Sequence, residues 1–203
     1  MIKDWRDIPV MQARSFTMKD GREAVIRPVV PDDAAGMLAM EVRLHVDDVG
    51  VVQTVEEIDQ TVPEMRESLE RLQPHNPGGC HFAALVDDVI VGSSSVRRPK
   101  ILRLRHIGRF AVGLDPAHRA LGLGRALMER AIEWALDGPG CRSGGIRRLE
   151  LNVFADNTPA IALYESLGFE VEGCRRDFLR RDDGTFVDDL CMVRLEEQRD
   201  PAP

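Results

Sequence analysis

The residues from Val112 to Leu127 (VGLDPAHRALGLGRAL) are the part of the chain best equipped for chemistry, since they read as strand, turn, two close glycines and helix start. The first amides of a helix have no intrahelical acceptor, and the helix dipole places about half a positive charge beside them. Gly122 and Gly124 present no side chain that would keep an anion from those amides. Arg119 and Arg125 flank the turn with permanent positive charge. The run Arg119, Ala120, Leu121, Gly122, Leu123, Gly124, Arg125 therefore reads as a cradle for a diphosphate. Two other nucleotide loops are excluded. Leu127 stands where a dinucleotide fingerprint needs its third glycine, and the Gly-Lys-Ser/Thr of a P-loop is absent.

A second patterned stretch, Leu149 to Phe169, follows, with its Asn157 about thirty residues after Gly124. It carries Asn157, Ala160, Tyr164, Gly168 and Phe169 as N-x-x-A-x-x-x-Y-x-x-x-G-F. Together with R-x-x-G-x-G at Arg119–Gly124, it resembles the coenzyme A-binding motifs of the GNAT N-acetyltransferase superfamily. The stretch from Glu172 through Asp183-Gly184 to Met192 is similar to a subgroup of amino-acid and phosphinothricin-type acetyltransferases. The later motif also resembles the ribosomal-protein acetyltransferases, which tend to have a glutamate where Asn152 stands here. The resemblance runs from about Arg22 to Leu195.

The resemblance implies an acetyl-CoA-dependent N-acetyltransferase in which an amine attacks directly in a ternary complex, without metal or acyl-enzyme. Val112, Gly113 and Leu114 would bind pantetheine, and the Leu114 amide would polarise the thioester carbonyl. Arg119 to Arg125 would hold the diphosphate. Asn157 and Ala160 would contact the cofactor near the later helix, where capping that helix is an equal role for Asn157. Tyr164, the only tyrosine, is the candidate acid toward the departing sulfur. Giving its proton outright (pKa ~10) to a thiolate of pKa ~8.5 is uphill by about 2 kcal/mol, so a hydrogen bond to sulfur is the safer assignment.

No strong base is evident. The related carboxylate position on the strand before the cradle holds Arg109, and His106 is expected on the opposite face of that strand. His81, His118 and Asp189 are weaker candidates. An α-amine of pKa ~7.7 is about one-third neutral at pH 7.4, whereas a lysine-like ammonium of pKa ~10.4 costs roughly 4 kcal/mol to deprotonate. Small-molecule amines, amino acids first, are the expected substrates, with Arg109 as a clamp for their carboxylate. Protein N-termini or lysines, and a catalytically silent CoA-binding module, are the alternatives.

The elements that must position these residues follow from periodicity and turn chemistry. Strands are expected near Ser15–Met18 and Glu23–Val30, then at His81–Val86, Val89–Val96, Arg103–Leu114, Arg147–Phe154, Phe169–Cys174 and Phe186–Leu195. Helices are expected from Pro31 to about His45, from Val55 to Leu72, from the glycine loop to Leu136 and from Pro159 to Leu167. The order is α/β (α+β) with many antiparallel neighbours. It fits a GNAT fold, a mixed, mostly antiparallel sheet flanked by helices, with the splay between two central strands that the resemblance implies. Residues 1–20 read as an extension, 21–196 as the domain and 197–203 as a disordered tail.

The 203 residues suit one domain with a core that needs no disulfides. The four cysteines, Cys80, Cys141, Cys174 and Cys191, match no zinc spacing and suit a reducing cytoplasm. No signal peptide or membrane span is evident. A net charge of −7 argues against a general nucleic-acid binder. The basic run Arg97, Arg98, Lys100, Arg103 and Arg105 is expected to be a solvated loop or strand, with an anion patch as the second reading. A homodimer is possible, and the region Val46–Pro77 is expected to select the amine.

Overall fold

The computed structural model of the chain describes residues 11–45, 50–71, 78–136 and 145–196. Cys141, the tail from 197, and parts of the extension and of the 46–77 region lie outside the described residues. Eight strands form one sheet: β1 (Arg14–Thr17), β2 (Glu23–Pro28), β3 (Gly79–Val86), β4 (Val89–Arg97), β5 (Ile107–Leu114), β6 (Arg148–Phe154), β7 (Glu170–Arg180) and β8 (Phe186–Leu195). Their spatial order is β1-β2-β3-β4-β5-β6-β8-β7. Every neighbouring pair is antiparallel except β5 and β6, which run parallel. The extension thus contributes an edge strand to the sheet.

Helices α1 (Ala34–His45) and α2 (Val62–Arg71) cover one face, where Met37, Met40, Met65 and Leu69 pack on Ala83 and Ile90. Helices α3 (Leu123–Leu136) and α4 (Thr158–Ser166) cover the other. The α3 stripe of Leu123, Leu127, Ala131 and Trp134 is fully buried, as its spacing requires. It packs with Phe82, Val96, Phe110, Leu149 and Phe169 in the larger core. Gly168, at φ +84, ends α4 in the left-handed conformation that glycine adopts without cost.

Two expected boundaries are corrected and a third element is given its full length. The second helix starts at Val62 rather than Val55, where the Glu64 carboxylate accepts from both the backbone N and the Oγ1 of Thr61, while Val55–Glu57 is a separate 3-10 turn. The strand expected from Arg103 starts at Ile107. Arg98 folds inward and donates to the Arg105 carbonyl, which closes the loop before β5 and leaves Leu102–Leu104 as a 3-10 turn. The strand expected to start over Phe169–Cys174 runs from Glu170 to Arg180. Its polar, solvent-facing residues show no apolar alternation to read.

Candidate active site

The site is built where β5 and β6 part. They pair over only three rows, Ile107 with Arg148, Gly108 with Leu149 and Arg109 with Glu150. Beyond Arg109 the strands have no pairing, so a V opens toward the end of β5. Antiparallel pairing with β4 decides which main-chain groups face it. Asp115 N donates 2.8 Å to Val91 O, so alternate residues from Asp115 back along β5 face β4. The amides of Val112 and Leu114 therefore turn into the opening, and that of Gly113 turns away. Gly113 instead serves packing, since a Cβ there would lie 2.6 Å from Leu44 Cδ1 on α1.

The cradle stands at the top of the V. Asp115 anchors it, accepting from Arg43 of α1 at 2.7 Å and from Ala117 N at 3.1 Å. Burial raises the Asp115 carboxyl pKa, but hydrogen bonds and charge from Arg43, with Ala117 N, win and hold it below the ordinary value. Arg119 Nε reaches back 3.1 Å to the Leu114 carbonyl, which brings its guanidinium to the mouth of the opening. Ala120 and Gly122 take positive φ of 62° and 89°, turning the successive amides around one hollow. Gly122 O receives the first helical bond, from Ala126 N, so the amides of Leu123, Gly124 and Arg125 precede the intrahelical ladder.

The glycines fit a bound diphosphate. A Cβ at Gly124 would meet only ordinary contacts with Leu163 at 3.6 Å and Leu114 at 3.9 Å, so packing alone does not demand glycine there. Glycine there leaves the neighbouring amides open to an anion. The β1–β2 turn braces the loop from outside, with Lys19 N donating to Leu121 O at 3.2 Å and Phe16 lying under Gly122. Two expected contributions differ in kind. The Leu123 side chain is entirely buried, so only its amide is available. The Arg125 side chain runs along α3 to Ser166 and Glu129 rather than over the cradle.

Tyr164 projects from α4 into the core beside Phe169, with ring centroids 6.3 Å apart. The residue is buried, and its hydroxyl makes no hydrogen bond among the described residues. Burial pushes its pKa up to about 12, so the hydroxyl carries its proton through the neutral range. Asn157 caps α4, its side chain accepting from Ala160 N at 3.3 Å, which is the structural role weighed from the sequence. Ala160 sits in the first turn of α4, packed against the larger core.

The face opposite α3 and α4 holds the acceptor candidates. Arg109 lies at the foot of the V, exposed, with Nε 2.9 Å from Glu150. Its other nitrogens are unused among the described residues. His106 is misplaced as a base. It falls in the turn before β5, at the end of the strand away from Leu114, because the Arg98–Arg105 closure shortens the strand. There its carbonyl holds the amides of Arg147 and Arg148. His81 is also remote, paired with Ser95 in β3 and β4, and burial pushes it down to about 4. His118 lies beside Arg22 and Asp115, past the end of β5.

Asn152, Cys191 and Arg175 gather on this face around Asp189, which the sequence offers only as a weaker base candidate. Asn152 of β6 donates 2.6 Å to Asp189 and 3.3 Å to Cys191 Sγ, both on β8, and Arg175 of β7 holds Asp189 from behind. Strand alternation alone puts Asn152 on the same face as Glu150, but the β8 partners required the sheet order. Among the described residues, no group of His, Cys, Asp and Glu is placed to hold a metal, and no helix is long and apolar enough to cross a membrane.

Residues 51–169 match the family model described as acetyltransferase (GNAT) family. The chain is 32% identical over 121 residues to the L-amino acid N-acetyltransferase AaaT of Escherichia coli K12, covering 59% of this chain and 70% of that protein. It is 41% identical over 75 residues to the ribosomal protein bS18-alanine N-acetyltransferase of the same strain. That match covers 37% of this chain and 47% of the relative. A phosphinothricin acetyltransferase of Sinorhizobium meliloti, solved in complex with AcCoA, superposes with a TM-score of 0.72 at 20% identity, covering 93% of this chain and 94% of that one.

Proposed function

The chain belongs to the GNAT acetyltransferase family, whose co-substrate is acetyl-CoA, and we propose that its acceptor is the primary amine of a small carboxylate-bearing molecule, an amino acid or a close relative. The observation that carries this reading is the V between β5 and β6. It joins the diphosphate cradle to Arg109, a half-engaged guanidinium facing solvent. The relative named for L-amino acids supports the same substrate class.

Acetyl-CoA, when bound, supplies a thioester already activated toward amines. The amides of Leu121 to Arg125, with Arg119, hold its diphosphate. Val112 and Leu114 offer main-chain groups to the pantetheine arm, and the Leu114 amide donates to the oxygen on which charge develops. A nitrogen–carbon bond forms as the carbon–sulfur bond breaks. One proton leaves the nitrogen for water and one reaches the sulfur, giving an amide and a thiol. Full transfer from a Tyr164 of pKa about 12 to a thiolate of pKa ~8.5 is uphill by about 5 kcal/mol, so Tyr164 acts by donating a hydrogen bond to sulfur while solvent completes the protonation. Arg109 receives the substrate carboxylate on its unused nitrogens.

The test is thiol release with a panel of free amino acids, their amides and short peptides, using the wild type and Arg109→Ala. Activity on free amino acids is expected, with KM for carboxylate-bearing amines raised about tenfold by the substitution and amides unaffected. Saturable activity on peptides alone refutes the small-molecule reading. That alternative is favoured by the match to the bS18-alanine enzyme.

A further inference from the structure

We infer that Asn152 is the seat of the acceptor amine, its Oδ1 accepting an N–H of the attacking nitrogen while Asp189 and Cys191 fix the amide in that orientation. This rests on the acetyl transfer proposed above. Asn152 is exposed and lies two residues past the Arg109–Glu150 row, the last in which β5 and β6 pair. It is therefore the first residue of β6 to face the open V on the side opposite α3 and α4. Across the V, β5 presents only Ala111 and Gly113 on that face, so the space beside Asn152 is not filled from that strand.

The orientation of the amide follows from what stands behind it. Asp189 is 2% exposed, and its carboxylate can only accept hydrogen bonds. It takes them from Arg175 Nε at 2.8 Å and from Asn152 Nδ2 at 2.6 Å. The second Nδ2 hydrogen has Cys191 Sγ at 3.3 Å. Turning the amide over would set its oxygen against a buried carboxylate and leave that carboxylate short of a donor. Nδ2 is therefore committed to β8, and Oδ1 is left without a partner among the described residues, at the mouth of the V.

Such an oxygen accepts a hydrogen bond but does not take up a proton. It orients an amine that arrives neutral, using one N–H and leaving the lone pair free for the acyl carbon. The class of acceptor selected is a primary amine that loses its own proton to water. A carboxylate on the carbon that bears the nitrogen, as in an α-amino acid, faces Arg109 at the foot of the same V. Asp189 is a positioning residue, acting through Asn152. The charged or titratable groups around the seat are Arg109 on β5, Glu150 on β6, Asp189 and Cys191 on β8, and Arg175 on β7.

The experiment compares wild type, Asn152→Ala and Asn152→Asp for kcat, KM and the pH profile of kcat/KM with two amines of different pKa, alongside acetyl-CoA affinity by calorimetry. Asn152→Ala is expected to lower kcat/KM for the amine at least tenfold with acetyl-CoA affinity unchanged. The wild-type inflection is expected to move with the pKa of the amine, and Asn152→Asp to add an inflection common to both amines. An unchanged kcat/KM in Asn152→Ala, or a wild-type inflection that ignores the amine, overturns the seat. If wild type acetylates only peptide N-termini, the small-molecule reading falls, and the same variants judge the seat with the peptide. Absence of transfer to every amine overturns both.

Discussion

Tyr164 shows how burial sets the chemistry of a single group. Its position in the later motif was legible in the sequence, but its environment was not, because Phe169 and the larger core enclose it only once the chain is folded. That enclosure raises the pKa to about 12 and turns a nominal proton donor into a hydrogen-bond donor. Tyr164→Phe is expected to lower kcat about 10- to 100-fold with little change in KM for either substrate, since the hydroxyl acts as charge develops on sulfur. Steady-state kinetics at saturating acetyl-CoA measures this, and an unchanged kcat removes Tyr164 from the mechanism. Ionisation of Tyr164 is also expected to produce no alkaline loss of activity below about pH 11. His106 is the contrary case. Its residue type suited a base, yet one inward-folded arginine, Arg98, shortens β5 and leaves His106 in a turn at the wrong end of the strand.

At the scale of elements, the legible parts were those where period and punctuation agree. The β3–β4 hairpin turns at Asp87 and Asp88, both with positive φ, as an Asp-Asp pair between apolar runs suggests. The α3 stripe and the glycine stop of α4 were equally plain. What stayed hidden were elements whose limits depend on partners distant in sequence. The far half of β7 is exposed and polar, and it exists because β8 pairs with it to Arg180. The V itself has no local signature. It lies between β5 and β6, the sole parallel neighbours in the sheet, whose pairing ends after Glu150 and can be seen only in the fold. Gly122 and Gly124 were legible as a turn leading into a helix, whereas the bracing of that loop by Phe16 and Lys19 from β1 and its turn required the fold.

For the whole molecule, the net charge of −7 coexists with local ion pairs such as Arg27–Asp33, Arg43–Asp115 and Arg175–Asp189 that tie strands and helices to the site. One buried group sets a pH limit on this assembly. Burial, with the charge of Arg97, pushes His81 down to about 4, and its Nδ1 is buried without a partner. The folded state therefore prefers neutral His81. That preference is fully present above about pH 6.5 and is lost as pH falls toward 4, worth up to about 3 kcal/mol. Denaturant melts from pH 7 to pH 4 are expected to show this loss, and His81→Leu to show less of it; identical pH dependence in the two proteins contradicts the assignment. The hollow made by Leu121 to Arg125 is proposed to grip the diphosphate of the acyl donor, and calorimetric titration of acetyl-CoA into wild type and Gly124→Val checks this. Saturable binding to the wild type is expected, weakened at least tenfold by the valine. Undetectable binding to the folded wild type, or equal affinity in the two proteins, would contradict it.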